Sequence, residues 1–364
     1  MKKKIIIAVS NDLVTDQRVH KVATSLQNEI GDVTLVGRRF KNSAELYRNY
    51  KTTRFSLFFN KKVLFYTEYN IRLFFYLIFK RVDVIVSNDL DTLPACYFAA
   101  KFKLAKLVYD SHEYFTEVPE LINRNCVRKF WLKIEELILP RVKNCYTVCQ
   151  SIADIYNKKY SIDMKVVRNV PFTLNSSNII IKNEPKIVVY QGAINVGRGI
   201  EEAILAMQFV DNAELLIFGS GDIEDEISNL VIENNLQNKV KIKGRLSFEK
   251  LHDETPKASL GLCIEKGKEQ GLSYYYALPN KLFDYIHAGV PVLLNDLPEK
   301  KRILDEFEIG YIMEDYSPLK LGEQITSILK SDQTMLEDNL QKASKVLCWE
   351  NEQNILLDIY KSLV

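Results

Sequence analysis

Short apolar runs alternate with longer amphipathic segments along the first half of the chain. Runs such as "KIIIAVS" and "VDVIVS" predict buried strands, because a strand covered on both faces shows little polar alternation. The predicted strands are residues 4–10, 33–36, 82–87, 106–110, 145–148 and 165–169, and the predicted helices are 16–29, 68–80, 92–103, 126–140 and 150–159. This alternation indicates a parallel sheet with helices on both faces.

The same pattern begins again after a polar stretch bracketed by prolines, residues 171–185, which we interpret as a linker. The second series of predicted strands is 186–192, 213–221, 239–244, 259–264 and 292–295. The sequence therefore predicts an α/β fold with two doubly wound, Rossmann-like domains, at residues 1–170 and 186–348. Ligands bind beyond the carboxyl ends of such strands, so a central cleft between facing sheets is the expected site.

The segment "ALPNKLFDYIHAGVPVLLND", residues 277–296, places two charged side chains in a short apolar helix. We expect Asn280 to cap the first turn and Gly289 to end the helix. Lys281 then lies where a helix attracts anions such as phosphate, and Asp284 lies one turn along on the same face, where a carboxylate suits a ribose diol. The alternative is an ordinary helix with one solvated ion pair between Lys281 and Asp284.

Two glycine-rich turns follow predicted strands in the same half of the chain. "YQGAINVGRG" and "IFGSGD" place the following glycines at strand ends: Gly192, Gly197, Gly199, Gly219 and Gly221. Glycine lets the backbone approach a phosphate closely, although a glycine-rich turn alone is weak evidence for a ligand. The coincidence of both turns with Lys281 at successive strand ends predicts a diphosphate site, with Arg198 and Lys281 as its cations.

The composition is that of an ordinary globular protein of two domains, with 364 residues, 47% apolar and 26% charged. The apolar part of "MKKKIIIAVSND" is too short for a signal peptide, and no run is long enough to span a bilayer. The six cysteines show no paired metal-ligand spacing. We therefore expect a reduced, cytoplasmic protein without a bound metal.

The net charge of +2 conceals an asymmetry between the two halves of the chain. Residues 1–175 contain 29 Lys and Arg against 17 Asp and Glu, whereas the rest contains 20 against 30. The basic half favours an anionic partner. We expect this partner to be a membrane surface and not nucleic acid, because no nucleic-acid-binding signature is present and segments 69–82 and 122–143 mix aromatic residues with cations. The alternative for their apolar positions is packing in the core.

The motifs together resemble the family-4-type retaining glycosyltransferases of the GT-B fold over nearly the whole chain. "SNDLVTDQRVHKVATSL" resembles the opening loop and helix of the family, with Asp16 and Arg18 at its "D-x-R-V" positions, and "YDSHEYFTE" resembles the acceptor-side loop with His112 and Glu113. "YQGAINVGRGIEEAI" resembles the diphosphate loop, and "LPNKLFDYIHAGVPV" resembles the donor-binding helix of a "PNKLFE" subgroup. Residues 349–364 resemble the last helix, which returns to the N-terminal domain.

This resemblance implies roles for individual residues. Arg198 and Lys281 would grip the leaving diphosphate. His112, on the acceptor-side loop, would be a catalytic residue in contact with substrate, the alternative being a structural histidine. The other substrate-binding residues would include Arg18, Glu113, Tyr276 and Asn280. Asp284 stands at the second of two family glutamates and would bind the ribose. The first is replaced by Tyr276, so Glu265 or Glu269 would substitute at the donor sugar, and Ala193 replaces an arginine often found in the diphosphate loop.

The expected function is retaining transfer of a hexose-type sugar from a nucleotide-diphosphate donor to a glycan or lipid-linked acceptor. We expect the enzyme to need no cofactor and no metal, and to work in bacterial surface-polysaccharide assembly at the inner leaflet of the membrane. Three alternatives stay open: a GT-B sugar-nucleotide epimerase, a catalytically silent sugar-nucleotide-binding subunit, and a nicotinamide oxidoreductase, which needs a fuller glycine fingerprint.

Overall fold

The computed structural model describes residues 2–14, 16–173 and 184–363, and the chain divides into two compact units. The first unit comprises Met1–Asn169 together with Trp349–Val364, and the second comprises Val170–Cys348. Residues 174–183 of the predicted linker lie outside the described residues.

The first unit is built on a seven-stranded parallel sheet in the order β3-β2-β1-β4-β5-β6-β7. Its strands are β1 (Lys3–Asp12), β2 (Gly31–Arg38), β3 (Lys51–Phe55), β4 (Val84–Asn88), β5 (Lys106–Ser111), β6 (Asn144–Thr147) and β7 (Met164–Val166). Its helices are α1 (Gln17–Glu29), α2 (Lys62–Phe79), α3 (Asp89–Lys103), α4 (Pro119–Ile122), α5 (Asn125–Ile138), α6 (Gln150–Tyr160) and, from the far end of the sequence, α15 (Trp349–Lys361). Helix α15 packs on α1, so the core of this unit joins distant parts of the chain.

The second unit repeats the architecture with six parallel strands in the order β10-β9-β8-β11-β12-β13. Its strands are β8 (Lys186–Gln191), β9 (Ala213–Phe218), β10 (Val240–Gly244), β11 (Leu260–Cys263), β12 (Val292–Leu294) and β13 (Gly310–Ile312). Its helices are α7 (Ile200–Ala206), α8 (Glu224–Glu233), α9 (Phe248–Glu254), α10 (Leu272–Tyr275), α11 (Asn280–His287), α12 (Pro298–Phe307), α13 (Pro318–Lys330) and α14 (Thr334–Val346). The predicted fold class, two doubly wound α/β sheets, is confirmed.

The strand order reverses between β1 and β4 in the first unit and between β8 and β11 in the second. Doubly wound sheets bind ligands at such switch points, beyond the carboxyl ends of the strands. Gly192 and Glu265 follow the two strands at the switch point of the second sheet, and Asp89 and His112 follow β4 and β5 in the first. The topology therefore places the motif residues of each unit at one sheet edge.

Candidate active site

The two glycine turns of the second unit pack side by side at the ends of β8 and β9. The Gly192 amide donates to the carbonyl of Phe218 at 2.9 Å, and the Ile194 amide donates to the carbonyl of Ser220 at 3.1 Å. A Cβ on Gly219 would lie 1.8 Å from the carbonyl oxygen of Gly192, and a Cβ on Gly221 would be similarly blocked by the backbone. These positions therefore require glycine for the close approach of two backbones.

The loop that follows β11 joins the same cluster of turns. The amide of Lys266 donates to the carbonyl of Gly197 at 2.7 Å, where the backbone has a φ of 80°. Gly199 has a φ of 74°, and its Cβ would lie 2.4 Å from the carbonyl oxygen of Ile264. Loops from three adjacent strands thus meet along the turn that carries Arg198.

Arg198 is held by stacking and has no ion pair to a carboxylate among the described residues. Its guanidinium carbon lies 4.5 Å from the ring centroid of Tyr274, within the range of a cation–π contact. Its buried Nε has no hydrogen-bond partner within the described part of the chain. A half-buried guanidinium with an unused donor is suited to an anionic ligand.

Lys281 is more deeply placed than the sequence suggests. Its side chain is 7% exposed, and Nζ lies 2.7 Å from a carboxylate oxygen of Glu265 and 3.9 Å from the ring centroid of Tyr190. Lys281 therefore does not form the solvated pair with Asp284 that we considered as an alternative. Its stem lies beside Gly192, where a Cβ would be 3.5 Å from the Cε of Lys281.

Glu265 is buried, and its two carboxylate oxygens face the ammonium groups of Lys281 and Lys300. Burial opposes ionisation, but the two ammonium groups hold the pKa of Glu265 well below its usual range. The carboxylate is thus committed within the protein. We correct the expectation that Glu265 takes over the sugar contact of Tyr276, and we assign Glu265 to the two lysines.

Asp284 lies in an open pocket beside Gln191, the last residue of β8. Gln191 donates through Nε2 to the Asp284 carboxylate at 2.9 Å, and Thr255 donates to the Gln191 amide oxygen at 2.9 Å. The pocket is lined by Pro171, Gln191, Phe248, Leu251, His252, Thr255, Asp284, His287 and Ala288. A carboxylate held by a glutamine at the rim of a partly apolar pocket suits a hydroxyl-bearing ligand.

The two other predicted donor-site residues lie on and before α11. Asn280 is the first residue of this helix, and the capping position is taken by Pro279 without a side-chain hydrogen bond. The prediction that Asn280 caps the helix is therefore wrong. Gly289 ends the helix with a φ of 67°, as predicted. The half-buried Tyr276 packs its ring edge-on against Tyr275, with centroids 4.9 Å apart.

In the first unit, Arg18 belongs to a buried network. Its side chain is 4% exposed and forms two bonds to the Asp110 carboxylate, at 2.7 and 3.2 Å, and one to the carbonyl of Val167 at 2.8 Å. Arg18 and His112 hold the pKa of Asp110 down to about 2, although burial alone would raise it. Arg18 therefore acts on the rest of this edge through Asp110.

His112 is fixed by acceptors on both of its ring nitrogens. Nε2 lies 3.2 Å from Asp110 and 3.1 Å from the Asn88 side-chain oxygen, while Nδ1 lies 3.4 Å from Asp89. Burial alone would lower the pKa of His112, but Asp89 and Asp110 raise it to about 9. His112 is consequently a cation at neutral pH.

Asp89 adopts a left-handed backbone conformation, with a φ of 57°, at the junction of β4 and α3. Such a conformation is strained for a residue other than glycine and persists only where its surroundings enforce it. Here the carboxylate also accepts the backbone amide of His112 at 2.8 Å. The neighbouring Glu113 is exposed, and its carbonyl accepts a bond from Ser111 at 2.8 Å.

Comparison with known proteins identifies the chain. Residues 16–171 match the family model described as Glycosyltransferase Family 4, and residues 172–346 match the model described as Glycosyl transferases group 1. The chain belongs to the glycosyltransferases of the GT-B fold. A Bacillus subtilis protein, poly(glycerol-phosphate) alpha-glucosyltransferase, is 30% identical over 141 residues, which are 38% of this chain and 20% of that protein. The match to this relative thus spans only a minor part of both chains.

Solved structures agree on the fold of the glycosyltransferase. Sucrose-phosphate synthase from Thermosynechococcus elongatus matches with a TM-score of 0.81 at 16% identity, covering 100% of this chain and 99% of that one. HepE from Anabaena, in complex with UDP and glucose, matches with a TM-score of 0.72 at 11% identity over 99% of this chain and 100% of its own. TarM from S. aureus, a variant in complex with UDP and α-GlcNAc-glycerol, has a TM-score of 0.61 at 16% identity and covers 81% and 59%.

Proposed function

We propose that this glycosyltransferase moves a hexose-type sugar from a nucleotide-diphosphate donor to a glycan or lipid-linked acceptor, with retention at the anomeric carbon and without a metal. The observation that carries the proposal is the pair of cations, Arg198 and Lys281, at the glycine turns where β8, β9 and β11 end. Burial raises the pKa of the Tyr190 phenol, and both cations oppose this rise. Preorganised cations of this kind stabilise the charge that develops on a departing diphosphate.

In the proposed reaction, one bond to the anomeric carbon of the donor sugar is exchanged for another. The bond from the anomeric carbon to the diphosphate oxygen breaks, a bond from that carbon to an acceptor hydroxyl oxygen forms, and the hydroxyl proton passes to the departing diphosphate. Arg198 and Lys281 would balance the charge on the released nucleotide. We place the acceptor at the edge of the first unit, where His112 offers a fixed positive charge.

The proposed setting is bacterial surface-polysaccharide assembly. The matched Bacillus relative carries poly(glycerol-phosphate) in its name, and the TarM structure contains α-GlcNAc-glycerol with UDP. These facts support a cell-surface glycan as acceptor and a UDP-sugar as the first donor to test. The transferase family models favour this function over the epimerase, whereas a silent subunit is distinguished by measuring turnover of the donor.

The nucleotide donor hypothesis predicts a selective effect at Asp284. We expect UDP-, GDP- or ADP-sugars to raise the melting temperature, since a ligand at one hundred times its Kd adds about 2.7 kcal/mol of stability. Asp284→Asn should then weaken nucleoside diphosphate binding by about 10-fold or more, as loss of a charged hydrogen bond does. Binding of inorganic pyrophosphate, which has no ribose, should be unchanged when both are measured by calorimetry.

The matched control for Asp284 is Asp305→Asn, an exposed carboxylate of the same unit that pairs with Lys301, and it should leave both affinities intact. An equal loss of pyrophosphate and nucleotide affinity in Asp284→Asn would remove the ribose role. A panel in which no nucleotide sugar stabilises the wild-type protein would argue against the donor itself.

We also propose that the first unit binds an anionic membrane surface. Exposed apolar side chains are concentrated on α2, on α3 and at the residue that ends α3: Ile71, Phe75, Phe79, Phe98, Phe102 and Leu104. The two helices are tied at their C-terminal ends by the Lys103 ammonium, which donates to the carbonyl of Ile78 at 3.1 Å. The exposed cations Lys80, Arg81 and Lys101 flank this apolar surface.

Helix α5 contributes less to the membrane proposal than its sequence suggests. Trp131 and Ile138 are buried, so packing in the core accounts for them, whereas Phe130 and Leu137 are more than half exposed. Within the described residues, no helix combines the length and the apolarity that crossing a bilayer requires. The proposed mode is therefore attachment at the surface, through aromatic side chains and cations.

Sedimentation with vesicles tests the membrane proposal. Binding should appear with vesicles rich in phosphatidylglycerol and fade as salt rises, because each cation near an anionic surface contributes about 1 kcal/mol that salt screens. The double variant Phe79→Ser, Phe102→Ser should bind more weakly, whereas Met335→Ser, an exposed apolar residue of the second unit, should not. If the wild-type protein ignores anionic vesicles at low salt, a soluble acceptor replaces the membrane-presented one.

A further inference from the structure

A buried cluster of one carboxylate and two ammonium groups lies at the carboxyl end of β11. Glu265 stands between Lys281 and Lys300, and the three side chains are 5%, 7% and 1% exposed. The cluster carries two positive charges and one negative charge. A buried cation without a matching anion lowers the stability of the folded protein unless another anion, such as a ligand, binds to it.

The two lysines differ in how their ammonium groups are satisfied. Lys300 donates to the carbonyl of Cys263 at 2.9 Å, to the side-chain oxygen of Asn295 at 2.7 Å and to Glu265, which uses all three of its N–H groups. Lys281 has one close polar partner among the described residues, the Glu265 carboxylate at 2.7 Å, and an ammonium group carries three N–H donors. The cation of the cluster with donors to spare is therefore Lys281.

The position of Glu265 is fixed from its backbone. Tyr316 donates to the Glu265 carbonyl at 3.1 Å, and Asn295 donates to the same oxygen. The stem of Lys281 passes the exposed Gly192, so its ammonium lies at the glycine turns. Position 193 in that turn is an alanine and offers no cation.

We propose that Glu265 is a positioning residue, which holds Lys281 charged and in place beside the diphosphate loop, and that Lys300 cancels the charge of Glu265 so that Lys281 stays available to the donor. This inference rests on the proposed function and names the source of the second cation at the leaving group. Lys300 itself has no N–H group left for a ligand, because all three donate within the protein. Its contribution is to prevent Glu265 and Lys281 from forming a neutral pair that would have no charge left for a diphosphate.

The pKa values of Lys281 and of the groups that face it decide which of them carry a charge near neutral pH. Burial alone would lower the pKa of Lys281, but Glu265 outweighs burial and raises it above its ordinary value. Burial raises the pKa of Cys263 to about 12, and burial raises the pKa of Tyr190 although Lys281 opposes it, so both stay neutral near pH 8. Lys300 is the remaining charged neighbour, and it repels a second cation.

The test is the affinity for UDP, with GDP and ADP in parallel, between pH 6 and pH 9. In Glu265→Gln, Lys281 loses its counter-charge, and buried lysines in such settings titrate near or below neutral pH. At each pH we divide the affinity of this variant by that of the wild-type protein. We expect this ratio to fall at least about 10-fold as the pH rises from 6 to 9. The ratio cancels the effect on affinity of protonation of the nucleotide's own phosphate, because both proteins bind the same ligand. Lys281→Met should bind weakly with no such trend, alone or combined with Glu265→Gln.

Two further variants control for a merely structural effect. Glu299→Gln removes another buried carboxylate of this unit, one paired with Arg302 at 3.0 Å, and should give a constant ratio. If Glu265→Gln does not fold, Lys300→Met replaces it, and here UDP affinity should fall about 10-fold at every pH because the surplus charge is gone.

The outcomes separate the two proposals. A wild-type protein that binds none of the three nucleotides overturns the proposed function and this inference together. A wild-type protein that binds UDP, with a Glu265→Gln ratio that is constant over pH and unaffected affinity in Lys300→Met, overturns only the role of Glu265 and leaves the glycosyltransferase proposal standing.

Discussion

Replacement of Arg198 by alanine should lower turnover by roughly 100-fold or more, because loss of one preorganised charge partner of a developing anion has that effect. The fold should be intact, since Arg198 is only half-buried and its side chain makes a cation–π contact with the ring of Tyr274. The measurement is steady-state release of the nucleotide from whichever donor stabilises the protein, with the melting temperature recorded alongside.

Arg302→Ala is the matched control for Arg198, because it removes an arginine from the same unit that pairs with Glu299 outside the glycine turns. Its turnover should equal that of the wild-type protein. Turnover near the wild-type level in Arg198→Ala would show that Arg198 has only a structural role, through its contact with Tyr274. Lys281 is a less direct probe, since its removal also disturbs the buried Glu265.

Arg18→Met should destabilise the first unit by about 3–5 kcal/mol, the usual result of leaving a buried charge without its partner. Asp110 is 0% exposed and would keep only His112 as a counter-charge. Both tryptophans, Trp131 and Trp349, belong to the first unit and are buried there. Tryptophan fluorescence during urea unfolding therefore follows this unit selectively.

The double variant Arg18→Met, Asp110→Asn should recover part of the loss, because it removes the stranded carboxylate together with the arginine. Lys4→Met is the control, since its ion pair with Asp32 joins side chains that are 43% and 41% exposed and should be worth far less. If both single variants lower the free energy of unfolding equally, burial of the Arg18–Asp110 pair does not increase its contribution to stability.

The fold was largely predictable because buried parallel strands leave an apolar signature. β1, β4 and β5 in the first unit overlap their predicted ranges closely, and so do β8 and β9 in the second. The missed strands are β3 and β13, which lie at sheet edges. "KTTRF" is exposed or half-buried and polar, and "GYI" has only three residues, so neither produces a continuous apolar run.

The site was predictable where a local motif decides the geometry. Gly192 and Gly219 follow the ends of the adjacent strands β8 and β9, and parallel strands end at one edge, so their meeting follows from the sequence pattern. The pairing of Lys281 with Glu265 does not follow, because the choice between a solvated helix surface and a buried partner is made by tertiary packing. The left-handed backbone of Asp89, whose carboxylate accepts the backbone amide of His112, has no sequence signal either.

The order of synthesis gives helix α15 a further significance. Trp349, Leu356 and Tyr360 share the core of the first unit with residues of α1 such as Val19 and Leu26. These three side chains leave the ribosome only after the whole second unit has been made. The unit that begins to fold first must therefore finish last. In the interval an apolar strip on α1 stays uncovered, and a nascent chain in that state is a substrate for chaperones.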